Sequence, residues 1–159
     1  MEVLSRPADE FENDQQLEAM WAMKAFEHAE IYFNIIASVD PTALKLTPFD
    51  DTIYTIFRKE FPTLDIHHLN EDEMKSPAGK QKWRSFCERF KFVDDYSFGT
   101  LVRADADKDY SQENSILVSR IHFYAIELAR NREGLNNSIR KHFFTIRDNN
   151  DATVKQNEE

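Results

Sequence analysis

At 159 residues the chain has the length of one domain, and a domain of that size buries a core without a disulfide or metal staple. Hydrophobic residues make up 41% and 13 of the residues are phenylalanine, so the core is expected to be rich in aromatic rings. Three glycines and five prolines are too few for the tight turns of an all-β sandwich, and a net charge of −9 suits neither nucleic acid nor an anionic membrane.

The charge is uneven. Acids outnumber bases up to Asp40, whereas Lys75, Lys80, Lys82, Arg84, Arg89 and Lys91 face a single acid, Glu88. A lone cysteine, Cys87, cannot make an internal disulfide, which fits a reducing compartment. The first residues are acidic and polar, unlike a signal peptide, and no apolar run has the length of a membrane span. A cytoplasmic protein is expected.

In chain order, residues 1–13 read as a flexible N-terminus, 14–146 as a helical domain and 147–159 as a disordered tail. Leu17, Trp21, Ala25, Ala29, Tyr32 and Ile36 recur at helical spacing, and Met20, Met23, Ile31 and Ile35 widen the stripe. This first helix is expected to stop at Asp40-Pro41. Thr47-Pro48-Phe49-Asp50 reads as a second helix start, carrying Phe49, Ile53, Ile56 and Phe57 on its apolar face, with Phe61-Pro62 as its end.

Residues 64–69 alternate weakly, as a short strand or extended linker would, and Glu71-Asp72-Glu73 reads as a solvated charge run. Ser76-Pro77 opens a helix whose Trp83, Phe86, Cys87 and Phe90 form a core stripe, which makes Cys87 an inert thiol rather than a nucleophile. Residues 100–103 read as a strand that could pair with 64–69. Ser111 or Ser115 is expected to cap the last major helix, with Leu117, Ile121, Tyr124 and Leu128 on its buried face. Gly134 sits where a helix ends in a left-handed residue, and a short helix from Asn137 to Ile146 follows. The fold class is therefore mainly α: a single compact domain of four to five helices with at most a small two-stranded ribbon.

No phosphate-binding loop, dinucleotide fingerprint, nucleophile elbow or zinc-protease motif is present. His67 and His68 beside Glu71–Glu73 suggest a metal, but adjacent residues of an extended segment point to opposite faces, so neither a metal nor a cofactor is expected. Asp94 and Asp95, with Glu113 or Glu127 as a distant partner, are the candidate carboxylate pair; a turn or capping role fits them better. The polar cluster Arg130-Asn131-Arg132-Glu133 ends the last helix, where positive charge favours the dipole.

Several stretches together resemble one family. They include Ala19-Met20-Trp21-Ala22-Met23, Ser38-Val39-Asp40-Pro41, Asp50-Asp51-Thr52-Ile53-Tyr54 and Lys82-Trp83-Arg84-Ser85-Phe86-Cys87. Tyr96-Ser97-Phe98-Gly99-Thr100-Leu101-Val102-Arg103 follows, and Ala125-Ile126-Glu127-Leu128-Ala129-Arg130-Asn131-Arg132-Glu133-Gly134 is the strongest run. From about Leu17 to Asn136 the chain resembles the polysaccharide biosynthesis domain-containing protein 1 family. The resemblance implies a cytosolic, mainly helical domain. It also implies a non-enzymatic chaperone that binds nascent translation elongation factor 1-alpha at its GTP-binding domain and lets it go once GTP is bound. Ribosome-associated factors are further expected partners, with no membrane and no DNA, and the protein is expected to be a monomer. The alternatives are a carbohydrate-active enzyme of polysaccharide biosynthesis and an RNA or ribosome-surface binding module.

The resemblance assigns no contact residues. On physical grounds the partner-binding surface is expected at Tyr96, Phe98, Arg103, Arg130, Asn131, Arg132, Glu133 and Asn136. Asp50, Asp51, Tyr54, Arg58, Lys82 and Arg84 are the second choices.

Overall fold

A computed structural model describes residues 15–140, with side chains from residue 19 onward. The expected flexible N-terminus, the expected tail, the side chain of Leu17 and the part of the expected 137–146 helix after residue 140 lie outside the described residues. Within them, five α-helices and one antiparallel strand pair form a mainly helical domain: α1 (Gln15–Ser38), α2 (Asp50–Glu60), α3 (Glu71–Met74), α4 (Pro77–Glu88), β1 (Gly99–Arg103), β2 (Ser115–Ser119) and α5 (Arg120–Arg132). A single 3-10 turn, Pro41–Ala43, lies between α1 and α2. Residues 137–140 are helical again.

The helix boundaries follow local chemistry. Asp40 caps the 3-10 turn by accepting from the Thr42 backbone N–H at 3.0 Å. Ser76 Oγ accepts from the Gly79 N–H at 3.1 Å, with Pro77 in the first turn of α4. Asn70 caps the acidic run, which forms one turn of helix, α3, with Glu71, Asp72 and Glu73 exposed to solvent as expected. At the end of α5, Gly134 has φ +81°, Leu135 N–H reaches Arg130 C=O at 2.8 Å and Gly134 N–H reaches Asn131 C=O at 3.4 Å. This is the Schellman arrangement, and it uses a backbone conformation that a Cβ disfavours.

Ten of the 13 residues of α5 are buried, so it runs through the middle of the domain rather than over it. Phe57, Phe61, Trp83, Phe86 and Phe90 fill the space between α2, α4 and α5. The Phe61 and Trp83 rings stack at 4.3 Å, and His122 of α5 lies on the other side of Trp83 at 3.6 Å. Each such side chain contributes about 1.5–3 kcal/mol by leaving water. Cys87 lies on this stripe, half-buried, and burial pushes its thiol up to about 11, so it stays protonated and unreactive.

Two expectations fail here. β1 pairs with β2, from Gly99 opposite Ser119 to Arg103 opposite Ser115, and not with residues 64–69. Residues 115–119 are thus a strand, and α5 starts after Ser119 instead of at Ser111 or Ser115. Ile116 and Val118 point inward, while Leu117 is 38% exposed. The spacing of Leu117 with Ile121 imitates a helical repeat because a strand runs straight into a helix. Residues 64–69 touch the sheet only at its end, through an isolated bridge between His68 and Asp105.

A third expectation fails on α1. Ala25, Ala29, Tyr32 and Ile36 are buried against the sheet and α5, as the periodicity predicts. Met20, Met23, Ile31 and Ile35 do not widen that face. They are 51%, 60%, 63% and 39% exposed; by helical spacing the first three lie on the far side of the helix and Ile35 on its flank.

Candidate functional site

Two groups of charged residues meet α5 near its C-terminal end, one inside the protein and one at its surface. The interior group is centred on Glu127. Its carboxylate accepts from Arg130 at 2.9 Å, Tyr32 Oη at 2.8 Å and Asn136 Nδ2 at 2.9 Å, with Arg103 3.6 Å away. Asn131 joins Tyr32 to Asn136. The Arg103, Glu127 and Arg130 side chains have no exposed surface, and Asn131 and Asn136 are buried with them.

Most of the other guanidinium N–H groups of Arg103 and Arg130 go to backbone carbonyls, while Arg103 Nε is buried without a hydrogen-bond partner. Arg130 donates to Ile66 at 2.7 Å and to Arg103 at 2.7 Å. Arg103 donates to Ala106 at 2.6 Å and Lys108 at 3.2 Å, and its other arm to Asn136 Oδ1 at 2.6 Å. The rings of Phe33 and Tyr110 flank the Arg103 guanidinium at 5.8 and 5.9 Å. Burial alone would raise the Glu127 carboxyl; the two arginines outweigh it and hold the group below the usual carboxylate range. The cluster ties α1, α5, the sheet and the loops at 66 and 104–108 together.

Arg103, Arg130, Asn131 and Asn136 therefore cannot form a partner-binding surface. A helix end looks exposed in sequence, but here the turn after Gly134 folds Asn136 back over it.

The surface group lies on the next face of the same helix end. Glu133 accepts from Arg58 Nε at 2.8 Å and from Arg58 Nη2 at 2.7 Å, a two-pronged pair between α2 and the C-terminal cap of α5. Tyr54 Oη also donates to Glu133, at 3.1 Å. Arg132 donates to Asp51 at 2.6 Å, and its guanidinium lies 5.2 Å from the centre of the Tyr54 ring. Partial burial, with Glu133 second, raises the Tyr54 hydroxyl, so it remains a donor. Asp51 is 92% exposed and Arg132 34%.

A recess of about 570 Å³ adjoins this pair, lined by residues 42–45 and 47–52 together with Arg132. Its wall is held by Asp50, which is buried and accepts from the N–H groups of Leu46 and Thr47 at 2.8 and 2.7 Å and from Thr47 Oγ1 at 2.8 Å. Asp50 is thus a loop clamp, not a contact residue. Asp51, Tyr54, Arg58, Arg132 and Glu133 form one accessible polar face.

The other sequence candidates lie elsewhere. Tyr96 and Phe98 are half-buried at the opposite end of α5: the Tyr96 carbonyl accepts from Ile121 N–H, and Arg120 lies 6.0 Å from the Phe98 ring. Thirteen residues of helix rise about 20 Å, so these rings do not meet Arg132 or Glu133. Lys82 is exposed, with Nζ 4.4 Å from the centre of the Phe61 ring, and Arg84 is exposed on α4. Asp94 and Asp95 stand exposed in a turn where Asp95 has φ 61°, and Glu127 is committed to the arginines.

A family model described as PBDC1 protein matches residues 17–141, which spans the helical core and both charged groups. The chain belongs to the PBDC1 family. Protein PBDC1 of Homo sapiens is 51% identical over 137 residues, covering 86% of this chain and 59% of the human protein. Protein PBDC1 of Mus musculus is 49% identical over 137 residues, covering 86% of this chain and 69% of its own. The Protein PBDC1 homolog of Schizosaccharomyces pombe is 44% identical over 139 residues, or 84% of this chain and 95% of the relative. The solution NMR structure of protein yst0336 from Saccharomyces cerevisiae is 40% identical and superposes with a TM-score of 0.75, covering 82% of this chain and 92% of that one. The match thus spans under two thirds of the length of the human relative.

In this member of the PBDC1 family, sequence reasoning missed Tyr32, Tyr110 and the role of Glu127. One signal was present: Glu127 and Arg130 stand three residues apart, the spacing of an ion pair within a helix, and Glu127 is flanked by Ala125, Ile126, Leu128 and Ala129.

Proposed function

We propose that this protein is a non-catalytic cytoplasmic chaperone. Its client is newly made translation elongation factor 1-alpha, held at the GTP-binding domain until that domain has folded. The family resemblance motivates the client. A binding role is supported above all by α1, where Met20, Met23 and Ile31 stand exposed on the side away from the buried face and Ile35 on its flank. Flexible methionines adapt to an irregular apolar surface, such as a client shows before its core is complete. The polar face of Asp51, Tyr54, Arg58, Arg132 and Glu133 adds a directional surface that needs no catalytic group.

No described helix is long and apolar enough to cross a membrane. The test is recovery of the protein with its partners from actively translating cells. Nascent elongation factor 1-alpha is expected to be enriched over other nascent chains. Equal recovery of unrelated nascent chains would refute the proposal.

A further inference from the structure

We propose that His67, His68 and Asp105, with Asp107 behind them, form a binding site for a divalent transition-metal ion of the zinc class. A fully extended segment at 64–69 would send the two imidazoles to opposite faces. The structure does otherwise. The chain bends at residues 66 and 67, and the two rings stack with centroids 4.2 Å apart and planes 28° from parallel. One donor atom from each of His67, His68 and Asp105 lies within 4.8 Å of the other two. Both rings have room to turn toward a shared ion, since the His68 side chain is 61% exposed and the His67 side chain 37%.

The backbone beneath these side chains is fixed. Asp65 accepts from the N–H groups of both histidines, at 2.9 and 3.2 Å. Leu69 N–H to Ala104 C=O and Ala106 N–H to His67 C=O, at 2.8 and 2.9 Å, lock the two loops in register. The buried arginines hold the same loops from inside, through the carbonyls of Ile66, Ala104 and Ala106. The donors therefore stand on a platform that binding need not order.

Two imidazoles and a carboxylate suit zinc, nickel or copper rather than calcium or magnesium, which take oxygen. Asp107 accepts from His67 Nε2 at 2.5 Å and is itself held by Ser138 Oγ at 2.8 Å. A carboxylate on an imidazole nitrogen is the usual device that orients a ligating histidine. Lys108 is the competing cation, 4.0 Å from Asp105, but it is 72% exposed and free to swing out. Bound metal would link the 65–69 and 104–108 loops across the outer end of the buried charge cluster.

The test is calorimetric titration of the chelator-stripped protein with zinc ion alone, repeated with His68→Ala and Asp105→Asn. One equivalent is expected to bind, and each variant is expected to weaken it by about 10- to 100-fold. Cobalt ion, as a spectroscopic probe, should give visible bands of nitrogen and oxygen ligation without a thiolate charge-transfer band, which separates this site from Cys87. No binding at millimolar zinc overturns the proposal. So does binding that His68→Ala leaves unchanged, because His68 is exposed and its loss does not endanger the fold.

Discussion

Glu127 and Arg130 meet at 2.9 Å with neither side chain reaching solvent, whereas Arg132, two residues further on, meets Asp51 at 2.6 Å at the protein surface. Equal-looking ion pairs on one helix thus have opposite energetics. Breaking a buried pair strands an uncompensated charge, and Glu127→Gln strands two guanidiniums. That substitution is expected to cost about 3–5 kcal/mol, and Arg132→Ala under about 1 kcal/mol. Urea unfolding of both variants checks this. Similar losses in the two would mean that the buried cluster is not what fastens the loops.

The pH response should come from two buried groups. Glu127 titrates below its unfolded value of about 4.3, so its contribution stands above that pH and is lost as pH falls through the folded value. His122 is buried and held down to about 3, by desolvation first and the Lys75 charge second. Between about pH 6.5 and that value the unfolded chain binds a proton that the folded one does not, so stability is lost as pH is lowered, by up to about 1.4 kcal/mol per unit. His28, lowered to about 4 by burial and Arg120, adds in the same direction. His122→Phe keeps a ring on Trp83 and removes one titration. It is expected to flatten the pH dependence of urea midpoints in the weakly acidic range. An unchanged slope would rule His122 out as its source.

Gly99 lies against Trp21. A Cβ at residue 99 would overlap the indole, which ties the start of β1 to the first turns of α1. Gly99→Ala is expected to lose about 1–3 kcal/mol through overpacking. In a Trp21→Leu background the same change should cost much less, because the overlapping ring is gone. A double-mutant cycle with no coupling between the two positions would contradict this contact.

Client binding and folding should separate. Arg132→Glu with Glu133→Arg leaves the core intact, as does Met23→Asp with Ile31→Asp on α1. Both pairs are expected to reduce capture of nascent elongation factor 1-alpha while the thermal midpoint moves by only a few degrees. Arg130→Glu, by contrast, is expected to unfold the protein and says nothing about a surface. Full capture by both surface pairs would remove these faces from the proposed function.

Much of the fold was written locally. Ser76-Pro77, Asp40-Pro41 and Gly134 mark helix ends because caps and left-handed turns depend on a few neighbouring residues. The Trp83, Phe86, Phe90 stripe could be read because helical periodicity is a local property. Asp51, Tyr54, Arg58, Arg132 and Glu133 were all named from sequence, but in two separate groups. Their union needed α2 to pack on α5.

Sequence by itself determined the helical class, the aromatic core, the family and most helix ends, since each rests on neighbours within a turn or two. Tertiary structure alone decided which charges are inside. Arg130 and Arg132 are two residues apart and chemically identical. One is buried because Glu127 and three backbone carbonyls from distant segments converge on it; the other stays at the surface because α2 presents the exposed Asp51 and the face of Tyr54 to it. The same holds for α1, whose apolar residues point both ways, and for residues 115–119, where a partner strand offers hydrogen bonds that spacing cannot reveal. Burial and strand pairing are relations between remote parts of the chain, so no local pattern contains them.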